Sequence, residues 1–147
     1  MVLRPEALRQ RLLKLEEVIS RLEEIGSVDR ALLRVNFRHA WVAERGLQVA
    51  AETIFDIGNH ILSAHFGVSS KDYEDILVQL ATHGVISDGL RSRLKGLGGF
   101  RNVLVHGYLR VDPDKVADFL AKAPADFSDF AEEARHWLTR TTGGQAD

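Results

Sequence analysis

The sequence predicts an all-α fold, a bundle of about five antiparallel helices in a single domain. Apolar residues recur at three- and four-residue spacing along most of the 147-residue chain, which is the period of one buried helix face. No segment alternates between apolar and polar residues as a half-buried strand does. Pro5, Gly26, Gly67, Gly84 and Pro113 stand where apolar stripes begin or end. We expect one domain over residues 1–140 and a flexible tail over residues 141–147.

The first two predicted helices form the N-terminal half of the chain. The first begins near Pro5 and ends at Gly26, and its apolar stripe comprises Leu8, Leu12, Leu15, Val18, Ile19, Leu22 and Ile25. The second extends from an Asp29 cap to about Phe66 without a proline and ends at Gly67. Its predicted stripe comprises Val35, Val42, Val49, Thr53, Ile57 and Ile61.

Three further helices complete the predicted bundle. Ser69 or Ser70 caps a short third helix, which ends at Gly84. The fourth extends from about Ser87 to Tyr108. A fifth begins at Asp112-Pro113, an N-cap followed by proline in the first helical position. Within it, Pro124 is expected to kink or split the helix.

Composition excludes several classes of protein. The chain has no Cys, so it is neither a disulfide scaffold nor a thiolate metal protein, and it has no Cys nucleophile. Nineteen basic residues against 21 acidic residues give a net charge of −2, which argues against a protein that coats nucleic acid or a membrane surface. No apolar run approaches the ~18 residues of a membrane span, and no signal peptide follows Met1. We therefore expect a cytoplasmic protein.

One segment is nevertheless basic. Residues 89–111 contain no acid and five basic residues, namely Arg91, Arg93, Lys95, Arg101 and Arg110. Such a segment can present phosphate-binding groups, and the alternative is a solvated helix face that happens to lack acids.

Arg101 and His106 are the residue types that a metal-free ribonuclease requires. An arginine can donate two parallel hydrogen bonds to phosphate oxygens. A histidine titrates near neutrality and can accept or donate a proton. At 100° per residue, Asn102 lies one turn from His106 and is placed to orient its imidazole. Arg101 lies roughly 140° away from His106, so that a common site needs a bend near Gly107 or a second copy of the helix.

A metal site is the competing interpretation. Glu52, Asp56 and His60 stand at i, i+4 and i+8 on one face of the second helix. A bundle metal site needs matching ligands from facing helices, and no such pattern is found. The plainer interpretation is a polar stripe with a hydrogen-bonded His60.

Several segments resemble the HepT family of the HEPN superfamily. The family motif Arg-x4-His-x-Tyr corresponds to Arg101, His106 and Tyr108, with Asn102 as the polar residue that follows the Arg. Residues 44–52 and 56–61 resemble the family's second helix, and Tyr73, Leu80 and residues 84–86 resemble its third helix and the turn after it.

This resemblance implies a HEPN-type helical bundle and a function. Such proteins are metal-independent RNA endonuclease toxins that need no cofactor, and they form homodimers whose paired motifs share a cleft. Their partner is a minimal nucleotidyltransferase antitoxin, MntA-like, which adenylylates the motif Tyr. The resemblance thus implies catalytic Arg101, Asn102 and His106 and a modified Tyr108, and we expect Arg91, Arg93, Lys95 and Arg110 to contact RNA. Two alternatives are a non-catalytic, nucleotide-binding partner of a nucleotidyltransferase and a metal-dependent pyrophosphohydrolase built on Glu52, Asp56 and His60.

Overall fold

The computed structural model of the chain describes residues 2–25, 30–107 and 111–143. Within these ranges it contains helices and no strand, which confirms the all-α class. The helices are α1 (Pro5–Ile25), α2 (Arg30–Val35), α3 (Phe37–Ile61), α4 (Tyr73–Thr82), α5 (Asp88–Leu94), α6 (Leu97–His106) and α7 (Pro113–Thr141), and a π-helical turn (Leu62–Phe66) follows α3. Of the predicted features, Gly26, Asp29, Tyr108 and Arg110 lie outside the described residues, as does the end of the predicted tail.

The centre of the bundle is formed by α1, α3 and α7, which pack most extensively on one another. The predicted stripe of α1 is confirmed, since Leu8, Leu12, Leu15 and Leu22 are almost completely buried. Because apolar surface removed from water stabilises the fold by roughly 25 cal/mol per Å², this regular stripe holds α1 against both long helices. None of the described helices combines the length and the apolar character that crossing a membrane requires.

The second predicted helix is interrupted at Asn36. This residue has an extended backbone (φ −115°, ψ 97°), and its side-chain oxygen accepts hydrogen bonds from the backbone N–H groups of Arg38 and His39. The prediction of one continuous helix was wrong because an asparagine that caps a helix competes with helix continuation. At the other end, the π-helical turn carries the chain to Gly67, which is left-handed (φ 65°).

The predicted stripe of the second helix is also partly wrong. Val35 and Val42 are exposed, whereas Ile57 and Ile61 are buried as expected. The buried face of α3 comprises Ala43, Leu47, Ala50, Ala51, Ile54, Phe55, Ile57, Gly58 and Ile61. Small residues on this face allow α1 and α7 to approach closely, and a search for large apolar residues misses them.

Two further helix ends differ from the predictions. Asp72, rather than Ser69 or Ser70, caps α4 by accepting a hydrogen bond from the Asp75 N–H. The fourth predicted helix breaks between α5 and α6 because Lys95 is extended (ψ 133°) and Gly96 is left-handed (φ 93°). The left-handed conformation is one that glycine adopts without steric cost.

Helix α7 continues through Pro124, so the predicted split does not occur. Phe127 and Phe130, which follow the proline, are buried in the core. Their packing compensates for the hydrogen bond that the proline removes. The start of α7 is as predicted, since the Asp112 side chain caps it and Pro113 occupies its first position.

Candidate active site

Helix α6 carries Arg101, and a glycine fixes its position against α4. A Cβ atom at Gly98 would lie 2.9 Å from the backbone nitrogen of Glu74 and 3.0 Å from Cβ of Tyr73. The Gly98 N–H also donates a 2.6 Å hydrogen bond to a carboxylate oxygen of Glu74. The absence of a side chain at Gly98 therefore sets how closely Arg101 approaches Tyr73.

The guanidinium of Arg101 is held by groups from three directions. Its Cζ lies 4.5 Å from the ring centroid of Tyr73, a cation–π distance. Its Nη2 donates to Oε1 of Glu52 at 3.4 Å, and its Nη1 donates to Oδ1 of Asn102 at 3.2 Å. Only 16% of the side chain is exposed. Arg101 is thus a positioned cation rather than a freely rotating one.

Arg101 borders a cleft of about 890 Å³. One face of α3, the loop before α4 and the middle of α6 line it. Arg45 and Lys71 are the other basic residues of this lining, and Glu52, Asp56 and Asp72 are the acidic ones. Among the described residues that line the cleft, Nε of Arg101 and Oγ of Ser70 are buried without a hydrogen-bond partner. Because Nε has almost no exposed surface, a phosphate group in the cleft would contact the guanidinium through its Nη atoms.

His106 is the last residue of α6 and is exposed, and it does not line this cleft. The helix is continuous from Leu97 to His106, so Arg101 and His106 point about 140° apart. The predicted bond from Asn102 to His106 is not made between these two described residues. The side-chain oxygen of Asn102 instead accepts from Arg101, since the guanidinium is the nearer donor.

The basic residues of α5 lie elsewhere. None of Arg91, Arg93 and Lys95 lines the cleft. Arg93 contacts Asp126 at 2.9 Å and Asp129 at 2.7 Å, both in α7. The hydrogen bond to Asp129 is the largest cause that raises the pKa of Arg93 above its ordinary value. These contacts link α5 to α7 and compete with any contact between Arg93 and RNA.

The residues of the competing metal hypothesis have separate partners. Glu52 contacts Arg101, and Asp56 lies 3.4 Å from Nε of Arg11. Nε2 of His60 accepts a 3.2 Å hydrogen bond from the Arg4 backbone N–H. Burial, followed by the charges of Arg11 and Arg4, lowers the pKa of His60. In the described part of the chain, no group of three His, Asp or Glu side chains has a metal-binding arrangement.

Sequence reasoning missed the groups that hold Arg101. Glu52 was considered for a metal site or a polar stripe and Tyr73 only as part of the third helix, and neither was linked to the arginine. Arg45 and Lys71 were also missed, because no spacing rule connects them to a residue of α6. Helical periodicity does place Arg45 and Glu52 on one face of α3, and that signal was available.

The fold and the site define a class of protein: an all-α bundle with a positioned arginine at a cleft between helices. The chain belongs to the HepT-like ribonuclease family, whose model matches residues 15–134.

Two solved structures and one curated relative illustrate the similarity. The curated relative is the tRNA nuclease HepT of Aphanizomenon flos-aquae (strain 2012/KM1/D3), 30% identical over 81 residues. That match covers 55% of this chain and 55% of the relative, about half the length of each. The cytosolic protein of unknown function YutE from Bacillus subtilis has a TM-score of 0.83 and 22% identity, over 100% of this chain and 99% of that one.

The other structure is a tri-AMPylated Shewanella oneidensis HEPN toxin in complex with MNT antitoxin. It has a TM-score of 0.77 and 23% identity, over 88% of this chain and 96% of that one. At these identities the two structures establish the fold alone.

Proposed function

We propose that this protein is a metal-independent RNA endonuclease that acts as a toxin. The observation that carries the proposal is the guanidinium of Arg101, held at a cleft by Tyr73, Glu52 and Asn102 in a member of a ribonuclease family. An arginine fixed before the substrate binds can stabilise a pentacoordinate phosphate without further reorganisation.

The reaction is an internal transfer at phosphorus. The 2′-hydroxyl oxygen of RNA attacks the adjacent phosphorus, and the bond from phosphorus to the 5′-oxygen breaks. The 2′-hydroxyl loses its proton, and the leaving 5′-oxygen gains one. His106 is the proton-transfer group, a role typically worth 10²–10⁴-fold in rate. The products are a 2′,3′-cyclic phosphate and a free 5′-hydroxyl.

A homodimer brings the two groups to one cleft. Arg101 and His106 point apart on one continuous helix, so that the His106 of a second copy has to complete the site. A two-fold axis near α6 achieves this, because each surface then contacts its own equivalent.

RNA is the substrate, and cations beyond Arg101 contact its backbone. Arg91 and Lys95 of α5 and Arg110 remain proposed phosphate contacts. For Arg93 we propose that RNA competes with Asp126 and Asp129, so its contribution is the smallest of this set. Asn102 acts as a positioning residue for Arg101.

The proposed partner is a minimal nucleotidyltransferase antitoxin, MntA-like, that transfers AMP to Tyr108. An AMPylated toxin complexed with MNT antitoxin is among the similar structures, and Tyr108 is seven residues from Arg101. Each added phosphodiester brings one negative charge into the motif, which would oppose RNA binding. The intact mass of the protein co-expressed with the antitoxin tests this, with Tyr108→Phe as the control that stays unmodified.

Cleavage assays with matched variants test the nuclease. Arg101→Ala and His106→Ala should each lower cleavage at least 10²-fold and leave the helical circular dichroism unchanged. Arg21→Ala and His136→Ala remove exposed residues of the same types and should cleave normally. Activity should persist in EDTA. Cleavage by His106→Ala at the wild-type rate would contradict the proposal.

The second candidate function is a non-catalytic, nucleotide-binding partner of a nucleotidyltransferase. Its support is the position of His106 outside the cleft that Arg101 borders. In that case Arg101→Ala weakens nucleotide binding, and the wild-type protein cleaves no RNA.

A further inference from the structure

Two large aromatic side chains stand exposed at the start of α3. Phe37 is 58% and Trp41 is 66% exposed. Their ring centroids lie 5.2 Å apart with an interplanar angle of 71°. Large apolar groups left in water on adjacent turns of a helix mark a surface that contacts something else.

This aromatic pair lies on the same side of α3 as the cleft. At 100° per residue, Trp41 and Arg45 lie within roughly 20° of Glu52, and Phe37 within roughly 60°. Arg45 and Glu52 both line the cleft, where Glu52 contacts Arg101. At 1.5 Å per residue, Trp41 is about 16 Å along the helix from Glu52. The aromatic pair therefore continues the cleft along one helix face.

Arginines alternate with these rings. The Cζ atom of Arg38 lies 5.8 Å from the Phe37 ring centroid, and Arg45 stands one turn beyond Trp41. Aromatic rings interleaved with cations are typical of surfaces that bind single-stranded nucleic acid, because bases stack on the rings while the cations contact phosphates. A basic character also disfavours a purely apolar partner.

We propose that Phe37 and Trp41 form a stacking platform for unpaired RNA bases, and that Arg45 guides the strand from this platform to the phosphate at Arg101. The proposal rests on the function proposed above and names its substrate class: RNA with a single-stranded segment next to the cleaved bond. A duplex keeps its bases stacked on one another and cannot offer them to the platform.

His39 provides a control at the same end of α3. Its side chain is exposed, but it lies roughly 140° around the helix from Glu52. That position is outside the arc of the α3 residues that line the cleft, so an RNA strand that follows the cleft face passes it by. His39→Ala is therefore the control for Trp41→Ala.

Binding is measured in a His106→Ala background, which keeps the RNA intact. The probe is a 12-nucleotide single-stranded RNA of mixed sequence, compared with a duplex of the same sequence. Of the two tryptophans, Trp41 is exposed and Trp137 is buried, so stacking should quench the fluorescence of Trp41. For the variants that lack Trp41, affinity is measured by the anisotropy of a fluorescently labelled copy of the same RNA. Trp41→Ala should weaken single-strand binding about 5- to 150-fold. Trp41→Phe should retain most of the affinity, and His39→Ala should leave it unchanged.

Several outcomes would overturn the platform. They are equal affinity of Trp41→Ala and its parent, equal affinity for single strand and duplex, or weakening by His39→Ala as large as that by Trp41→Ala. A change of molecular mass in light scattering for Trp41→Ala would assign the patch to an interface between copies of this chain instead. The proposed function is contradicted by a different result, namely a wild-type protein that cleaves no RNA. In that case the fluorescence titration still decides whether Trp41 binds RNA.

Discussion

Gly98 and Gly99 are neighbours in α6 with opposite surroundings, and replacing each by alanine should have opposite effects on stability. A Cβ at Gly98 would lie 2.9 Å from the backbone nitrogen of Glu74, which cannot move without shifting the start of α4. A Cβ at Gly99 would meet nothing within 4 Å. Both residues have helical backbones that alanine can adopt.

The magnitudes follow from two opposing contributions. Alanine in place of glycine inside a helix stabilises by roughly 0.5–1 kcal/mol. Gly99→Ala should gain at most that amount, because Gly99 lies in the first turn of α6. Overpacking costs typically about 1–3 kcal/mol, so that Gly98→Ala should change stability by between roughly no loss and a loss of about 3 kcal/mol. The difference between the variants cancels the helix contribution and leaves the steric cost of about 1–3 kcal/mol.

Thermal unfolding of the two variants measures this difference. For a chain of this size, a change of 1 kcal/mol in the free energy of unfolding shifts the Tm by about 2–4 °C. Gly98→Ala should therefore melt about 2–12 °C below Gly99→Ala. RNA cleavage gives a second readout, because a shifted α4 moves Tyr73 away from Arg101 and should lower kcat/KM in Gly98→Ala alone. Equal melting temperatures would refute the close approach of α6 to α4.

Two further predictions concern protonation and assembly. Because the pKa of His60 is lowered in the native protein, the unfolded chain binds a proton there more readily. The free energy of unfolding should therefore be highest above pH 6.5, the ordinary pKa of histidine. It should decline as the pH falls from 6.5 through the lowered pKa. His60→Gln should remove this decline in melting scans between pH 5 and 8. Mixing Arg101→Ala with His106→Ala protein should restore about a quarter of the wild-type cleavage, because half of the random dimers would then have one intact site of two. No restoration would show that each site is formed within one copy.

The fold was predictable where apolar spacing decides it and unpredictable where one side chain competes with the backbone. Two features were predicted correctly, namely the leucine stripe of α1 and the start of α7 at Asp112-Pro113. In each case neighbouring residues in the sequence determine the structure. The break at Asn36 was missed, since an asparagine caps a helix or continues it depending on how the flanking segments pack. Three alanines of α3 carry little hydrophobic signal although they are fully buried, namely Ala43, Ala50 and Ala51.

The candidate site was predictable only in the part that lies within one helix. The spacing of Arg101, Asn102 and His106 pointed to phosphate chemistry. The partners of Arg101 come from distant positions, since Glu52 is 49 residues away in sequence, and only packing brings them together. For the same reason, Asn102 was assigned to the wrong neighbour: periodicity places it near His106, but the guanidinium of Arg101 reaches it first.

These contacts give Arg101 the character of a preorganised group. A free arginine loses side-chain entropy of the order of 2 kcal/mol when it is fixed, and here the ring of Tyr73 and the oxygens of Glu52 and Asn102 fix it during folding. Glu52 is 39% exposed and its contact with Nη2 is long, at 3.4 Å, so that it orients the guanidinium without the close, bidentate geometry that would block a phosphate. A lysine at this position would keep the positive charge. It would lose the planar group that lies on the Tyr73 ring and the separate N–H group that donates to Oδ1 of Asn102. Preorganisation of this kind explains why an arginine, rather than any cation, stands at the edge of the cleft.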